Sequence, residues 1–170
     1  MMKKTIKYVV VACMLFTGIS LNAQKLGHVN SQVIMQELPD YESARKDLES
    51  FNNDLTKELE MYQKLIMEFA QDYEQNKNGM SEDTRKRKET DLMERQQNYE
   101  KKAYEAQTSL QQKEQELLQQ IMLKVNTAVK EVAEKEGYDY VYEVTTLLYA
   151  GGEDISNKVR KKLGIPVEGK

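Results

Sequence analysis

NKNGMSED, residues 76–83, decides the fold, because one long amphipathic pattern stops there and another begins. Gly79 offers a left-handed end for the helix before it, and Ser81 an N-cap for the helix after it. Upstream, apolar residues fall at Tyr41, Ala44, Leu48, Phe51, Leu55, Leu59, Tyr62, Ile66, Phe69 and Tyr73. The steps alternate between three and four with a single doubled four at Leu55–Leu59, which is a heptad seam with one stutter. Downstream the rhythm resumes at Leu92, Gln96, Tyr99, Ala103, Ala106, Leu110, Lys113, Leu117, Ile121, Val125, Ala128 and Val132, with no helix breaker before Gly137. At 1.5 Å per residue the two helices reach about 57 and about 80 Å. Folding them about Gly79 sets Tyr41 opposite Leu117, and the lengths reconcile as one antiparallel hairpin.

Strand-forming material lies only at the two ends. In KLGHVNSQVIMQEL, residues 25–38, Leu26 and His28 alternate with Gly27 and Val29 as a short strand. Ser31 then caps a brief helix carrying Val33, Ile34 and Leu38, Pro39 interrupts it, and Asp40 caps the next. After Gly137, YDYVYEV and LLYA (residues 138–144 and 147–150) read as two short strands. GGED breaks the second, and Ser156 caps a last helix with Ile155, Val159 and Leu163 on one side, closed by Gly164 and Pro166. The expected fold is therefore α+β and mostly α: a small β-rich body, residues 24–39 plus 137–170, with a helical-hairpin arm, 40–136, inserted and its tip near 76–81. About 50 residues of body is close to the size at which a lone core fails. Burying its strand edge against further copies would answer both problems, so oligomerisation is expected.

The first 23 residues stand apart. MMKKTIK is a positive n-region, YVVVACMLFTGISL an apolar run too short to span a bilayer, and LNA a small-residue cleavage site, so a cleaved signal peptide is expected. VVAC loosely resembles a lipoprotein signal, but a cut before Cys13 would leave an apolar tail, which opposes lipid attachment. Residues 1–23 carry Lys3, Lys4 and Lys7 and no acidic residue; without them the balance is 22 basic against 28 acidic, a net charge of -6. That acidity opposes nucleic acid as a partner. Cys13 is the sole cysteine, so disulfides and thiolate metal sites leave with the signal.

Catalytic chemistry is thin. His28 is the sole histidine and sits in a strand pattern, so no His-bearing triad or multi-histidine metal site is possible. Glu114 and Glu116 read as solubilising charges on a helix face, and Gly151–Gly152 lacks the rest of a phosphate-binding loop. No enzyme activity, cofactor or small-molecule substrate is expected. Arg85, Lys86, Arg87 and Lys88 lie at the arm tip, either as a cationic fingertip or as a helix start balanced by Glu82, Asp83, Glu89 and Asp91. Met61, Leu65, Met93 and Tyr104 fall off the seam. They are candidate contacts for unfolded chains, methionine suiting surfaces that accept many partners, or else a wider seam or scattered surface hydrophobes.

The layout and the end strings resemble the Skp/OmpH family of periplasmic chaperones. KLGHVNSQVIMQELPDY, residues 25–41, carries the resemblance at the start, and GYDYVYEVTTLLYAGGEDISNKVRKKLG, residues 137–164, at the end. Its most telling parts are Tyr140–Val141, Leu148–Tyr149–Ala150 and Asp154–Ile155–Ser156, followed by Val159 and Leu163. The resemblance implies a jellyfish-like homotrimer whose bodies associate, with Leu26, Val29, Tyr140, Val141, Tyr142, Leu148, Tyr149, Ile155, Val159 and Leu163 in the body and its oligomer contacts. It also implies an ATP-independent holdase that keeps outer-membrane β-barrel precursors soluble in the periplasm, with a membrane surface or lipid as a further candidate partner. The family's best-known members are basic, whereas this chain without its signal is acidic. A coiled-coil structural or adaptor protein of the cell envelope is the alternative; it would form one fixed complex, where a chaperone binds diverse unfolded chains.

Overall fold

The computed structural model describes residues 24–167; the signal-peptide expectation for residues 1–23 lies outside them. Strand β1 (Leu26–Val29) leads into the short helix α1 (Ser31–Gln36) and then α2 (Pro39–Asn76). A 3₁₀ turn, Lys77–Gly79, joins α2 to α3 (Glu82–Glu136), and β2 (Tyr140–Glu143), β3 (Glu153–Asp154) and α4 (Ser156–Leu163) complete the chain. The sheet order is β2-β1-β3, with β1 parallel to both neighbours. A parallel pair needs a long crossover, and between β1 and β2 the crossover is the whole of α1, α2 and α3.

The two long helices have the predicted lengths, 38 and 55 residues, and they pack along each other. Lys88 Nζ donates to Asp72 (2.7 Å), Lys102 to Glu58 (3.4 Å) and Lys124 to Asp40 (2.6 Å), so numbers fall along α2 as they rise along α3. Every seam position of α2 is half-buried or buried. So is every seam position of α3 except Gln96, which is exposed. Two helices without a third layer leave most of their seam partly wet; apart from Tyr73 near the tip, full burial comes only where the ends of the chain cover α3. Asp40 faces Lys124, so Tyr41 sits about one turn beyond the expected Leu117.

Helix ends depart from expectation in four places. Gly79 is not left-handed; α2 tightens into the 3₁₀ turn, whose bond from Met80 N–H to the Lys77 carbonyl (3.3 Å) satisfies an end carbonyl. Asn30, not Ser31, caps α1, its side chain accepting from Val33 N–H (3.1 Å). Pro39 starts α2 rather than interrupting α1, and Asp40 lies in the first turn instead of capping it; proline suits that place because the N–H it lacks has no helical partner there. Ser156 opens α4 without capping it. Its hydroxyl accepts from Asn30 N–H (3.1 Å), tying the end of the chain to its beginning. Ser81 does cap α3, and Gly137 (φ +71°) ends it in the left-handed conformation, with Tyr138 N–H returning to the Ala133 carbonyl (2.9 Å).

LLYA is not a strand. β2 gives way to a 3₁₀ turn at Val144–Thr146, and the third strand is Glu153–Asp154, on the other side of β1. That edge of β1 is open to pairing, whereas Leu148 and Tyr149 stay exposed among the described residues. The core gathers Val29, Ile34, Leu38, Tyr138, Ile155, Val159 and Ile165 around Ile121, Val125, Ala128 and Val132 of α3. The root of the long helix is thus a wall of the core, which enlarges what the two chain ends could bury alone. Arg160 clamps α4 to the end of α1 through two bonds to Glu37 (2.7 and 2.9 Å). Lys158 gathers Glu136, Glu153 and the Tyr138 hydroxyl (3.0, 2.8 and 3.1 Å).

Candidate functional site

Two surfaces carry the residues singled out from sequence. The first is the flanks of the long helices. The seam consumes one face of each helix, and the next residues along the circumference have no partner layer. Met61, Leu65, Met93 and Tyr104 are all exposed there. Met67, Met122 and Leu123 belong to the same exposed set and were missed from sequence. Their signal was the same one, an apolar residue out of step with the heptad. Met93, Tyr104 and Met122 are spaced by 11 and 18 residues, close to whole numbers of turns, so they lie along one line of α3.

Between the flanks runs an open groove of about 460 Å³, floored by Tyr62, Leu65, Ile66 and Tyr99 and edged by Arg95 and Lys102. Its cations are engaged. Lys102 bonds Glu58 (3.4 Å) and lies over the Tyr62 ring at 4.5 Å, while Arg95 bonds Asp91 (3.1 Å) and lies over Phe69 at 4.5 Å. Such stacking lets a charged head cover apolar seam that a two-helix layer would leave wet.

At the tip, Arg85, Lys86 and Arg87 point to solvent, but Lys88 turns inward. It bonds Asp72 and lies 5.1 Å from the Phe69 ring, and its ammonium holds the Asp72 carboxyl below the ordinary carboxylate range. The buried Tyr73 donates its hydroxyl to Glu89, and that bond pushes the phenol above its ordinary value. The basic run therefore splits into three free charges and one structural lysine.

The second surface is the outer face of the sheet. Partners in a parallel ladder share a face, so Leu26 with Tyr140, and His28 with Tyr142, look one way while Val29 and Val141 look into the core. Leu26, Tyr140 and Tyr142 are exposed, the two tyrosine rings stacked at 6.3 Å between centroids. Beyond them Leu148 is 108% and Tyr149 87% exposed. The predicted body residues thus divide. Val29, Ile155 and Val159 are buried within the chain, with Val141 and Leu163 packed half-buried against them. Leu26, Tyr140, Tyr142, Leu148 and Tyr149 form an apolar patch without cover. Among the described residues no group of histidine, cysteine and carboxylate side chains could hold a metal ion, and no helix is long and apolar enough to cross a membrane.

The family described as outer membrane protein (OmpH-like) matches residues 25–163. The chaperone protein Skp of Pectobacterium atrosepticum is 30% identical over 142 residues, 83% of this chain and 86% of the relative. The Skp of Yersinia enterocolitica is 28% identical over 163 residues, 95% and 99% of the two chains. A crystal structure described as an OmpH-like outer membrane chaperone, from Caulobacter crescentus, superposes with a TM-score of 0.73 at 15% identity, covering 91% of this chain and 93% of that one; at that identity the likeness speaks for the fold. With sheet, long helices and end motifs all within the matched span, the chain belongs to the OmpH-like family.

Proposed function

We propose that the chain is an ATP-independent holdase of the periplasm, delivered there by a signal peptide in residues 1–23, that keeps unfolded outer-membrane β-barrel precursors from aggregating. The observation that carries this reading is the row of exposed apolar side chains flanking a seam that is already satisfied by its own pair of helices. Residues 40–136 act as an antiparallel coiled-coil arm, a reading supported by the cross-helix ion pairs. Residues 24–39 and 137–170 form the body, joined by the root of α3. Three copies associate through the uncovered patch of Leu26, Tyr140, Tyr142, Leu148 and Tyr149, which would place three arms around one cavity. Each apolar touch on a client is weak, but several arms raise the effective concentration of the remaining sites, so holding needs no deep pocket and no nucleotide. No step of this work is enzymatic.

Light scattering on an unfolded β-barrel membrane protein diluted out of urea tests the role: an equimolar trimer should suppress aggregation. No suppression would refute holding, and one stoichiometric complex with a single folded partner would favour the structural-adaptor alternative. Sedimentation of the double variant Leu148→Ser, Tyr149→Ser tests the assembly. A monomer is expected, and an intact trimer would refute the proposed patch.

A further inference from the structure

The exposed apolar surface of the long helices is mostly thioether. Of seven exposed large apolar side chains on α2 and α3, four are methionines: Met61 (53% exposed), Met67 (64%), Met93 (63%) and Met122 (49%), beside Leu65, Tyr104 and Leu123. None is on the heptad seam, and none belongs to the core cluster. Met35, by contrast, is half-buried against that core. The sole cysteine is Cys13, so residues 24–167 contain no thiol to compete for an oxidant.

We propose that these four methionines are oxidation sites through which a two-electron oxidant, hydrogen peroxide or hypochlorous acid, reversibly weakens the hold on apolar clients. The inference rests on the holdase reading and adds a mode of regulation to it. The sulfur lone pair attacks the peroxide oxygen and the O–O bond breaks. One oxygen stays on sulfur as sulfoxide, the other leaves as water, and the peroxide is reduced by the two electrons the sulfur gives up. The product exchanges a flexible apolar contact for a polar S=O group. Off the seam, that change removes little packing within the chain, so the helices persist while their outer surface becomes more hydrophilic. The four sites are spread along the arms; Met93 and Met122 alone are separated by about 43 Å of helix. Each sulfoxide therefore weakens one of several simultaneous contacts, and the response is graded. A loss of about twofold at each of four contacts multiplies to a weakening of roughly sixteenfold.

The test treats the purified chain with hydrogen peroxide, follows oxygen uptake at each methionine by peptide mass spectrometry, and measures holding by light scattering. Met61, Met67, Met93 and Met122 should oxidise ahead of Met35 while far-UV circular dichroism and sedimentation stay unchanged. Client affinity should drop roughly sixteenfold, and methionine sulfoxide reductase with a dithiol should restore it. The quadruple variant M61L/M67L/M93L/M122L should hold clients before and after peroxide alike. Untreated protein that fails to hold any client refutes the holdase reading. Untreated protein that holds, and still holds equally well after all four methionines are oxidised, refutes the methionine inference alone. So does a quadruple leucine variant that loses as much as the parent.

Discussion

Ile155→Ala offers the cleanest test of how the two ends of the chain are joined. Ile155 is fully buried. Its N–H donates to the His28 carbonyl at 2.9 Å, and its side chain packs with the Tyr138 ring over Gly27, where an added Cβ would lie 3.3 Å from Ile155 Cγ2 and 3.1 Å from the ring. Alanine keeps the backbone bond and removes three buried carbons, about 2.5 kcal/mol of transfer energy. The walls are a strand backbone, an aromatic ring and α4, which close poorly over a hole, so the cavity adds about 1 kcal/mol more. The sum, about 3.5 kcal/mol, falls within the range for such truncations and is a large part of the stability of a small domain. Urea unfolding at fixed protein concentration measures it, because the proposed association would make the midpoint concentration-dependent. Far-UV circular dichroism reports the helices and near-UV signals report tyrosine packing in arm and body together; the chain has no tryptophan. A shift below about 1 kcal/mol would refute the claim that Ile155 seals one core between the first and last strands.

Phe69→Ala addresses the arm. Phe69 is half-buried between Lys88 and Arg95, so the loss should be about 2 kcal/mol, below the value for a fully buried phenylalanine. Hydrogen exchange should rise near the tip while sedimentation stays unchanged; unaltered exchange around residues 69–95 would remove Phe69 from the seam. The Arg160 clamp lowers the Glu37 carboxyl below its ordinary value of 4.5, through the side-chain bond first. Its stabilisation is therefore complete above the unfolded value and is lost as pH falls through the lowered folded value. Glu37→Gln should cost about 0.5–1 kcal/mol at neutral pH, since the carboxylate is partly solvated, and should flatten the acid limb of the stability curve. An acid limb identical in parent and variant would show that the pair contributes nothing.

Much of the fold was readable because helix periodicity is local. The apolar steps from Tyr41 to Tyr73 place a seam residue every three or four positions whatever else the chain does, and every seam position expected on the two helices is half-buried or buried except Gln96. Helix lengths followed from the same pattern, since no glycine or proline interrupts α2 or α3. What failed was short and context-dependent. LLYA has strand composition, yet in two-residue and four-residue strands the ladder partner decides, and the free edge of β1 was taken by Glu153–Asp154. Ser31 and Ser156 are good capping residues, but tertiary bonds reassigned them: Ser31 N–H to Glu143 (3.1 Å) and the Ser156 hydroxyl to Asn30. Lys88 looked like its three neighbours and differs only because Asp72 on the facing helix is within reach.

The residues alone determined two long amphipathic helices, the turn between them, an acidic chain poor in catalytic groups, and end strings resembling one family. Only the tertiary structure decided that β1 lies between strands from the far end of the chain, all parallel. It also separated Val29, Ile155 and Val159, which seal the core, from Leu26, Tyr140, Tyr142, Leu148 and Tyr149, which are exposed among the described residues. The physical reason is range. A heptad is written within a few residues, whereas the face a strand residue presents depends on partners more than a hundred residues away.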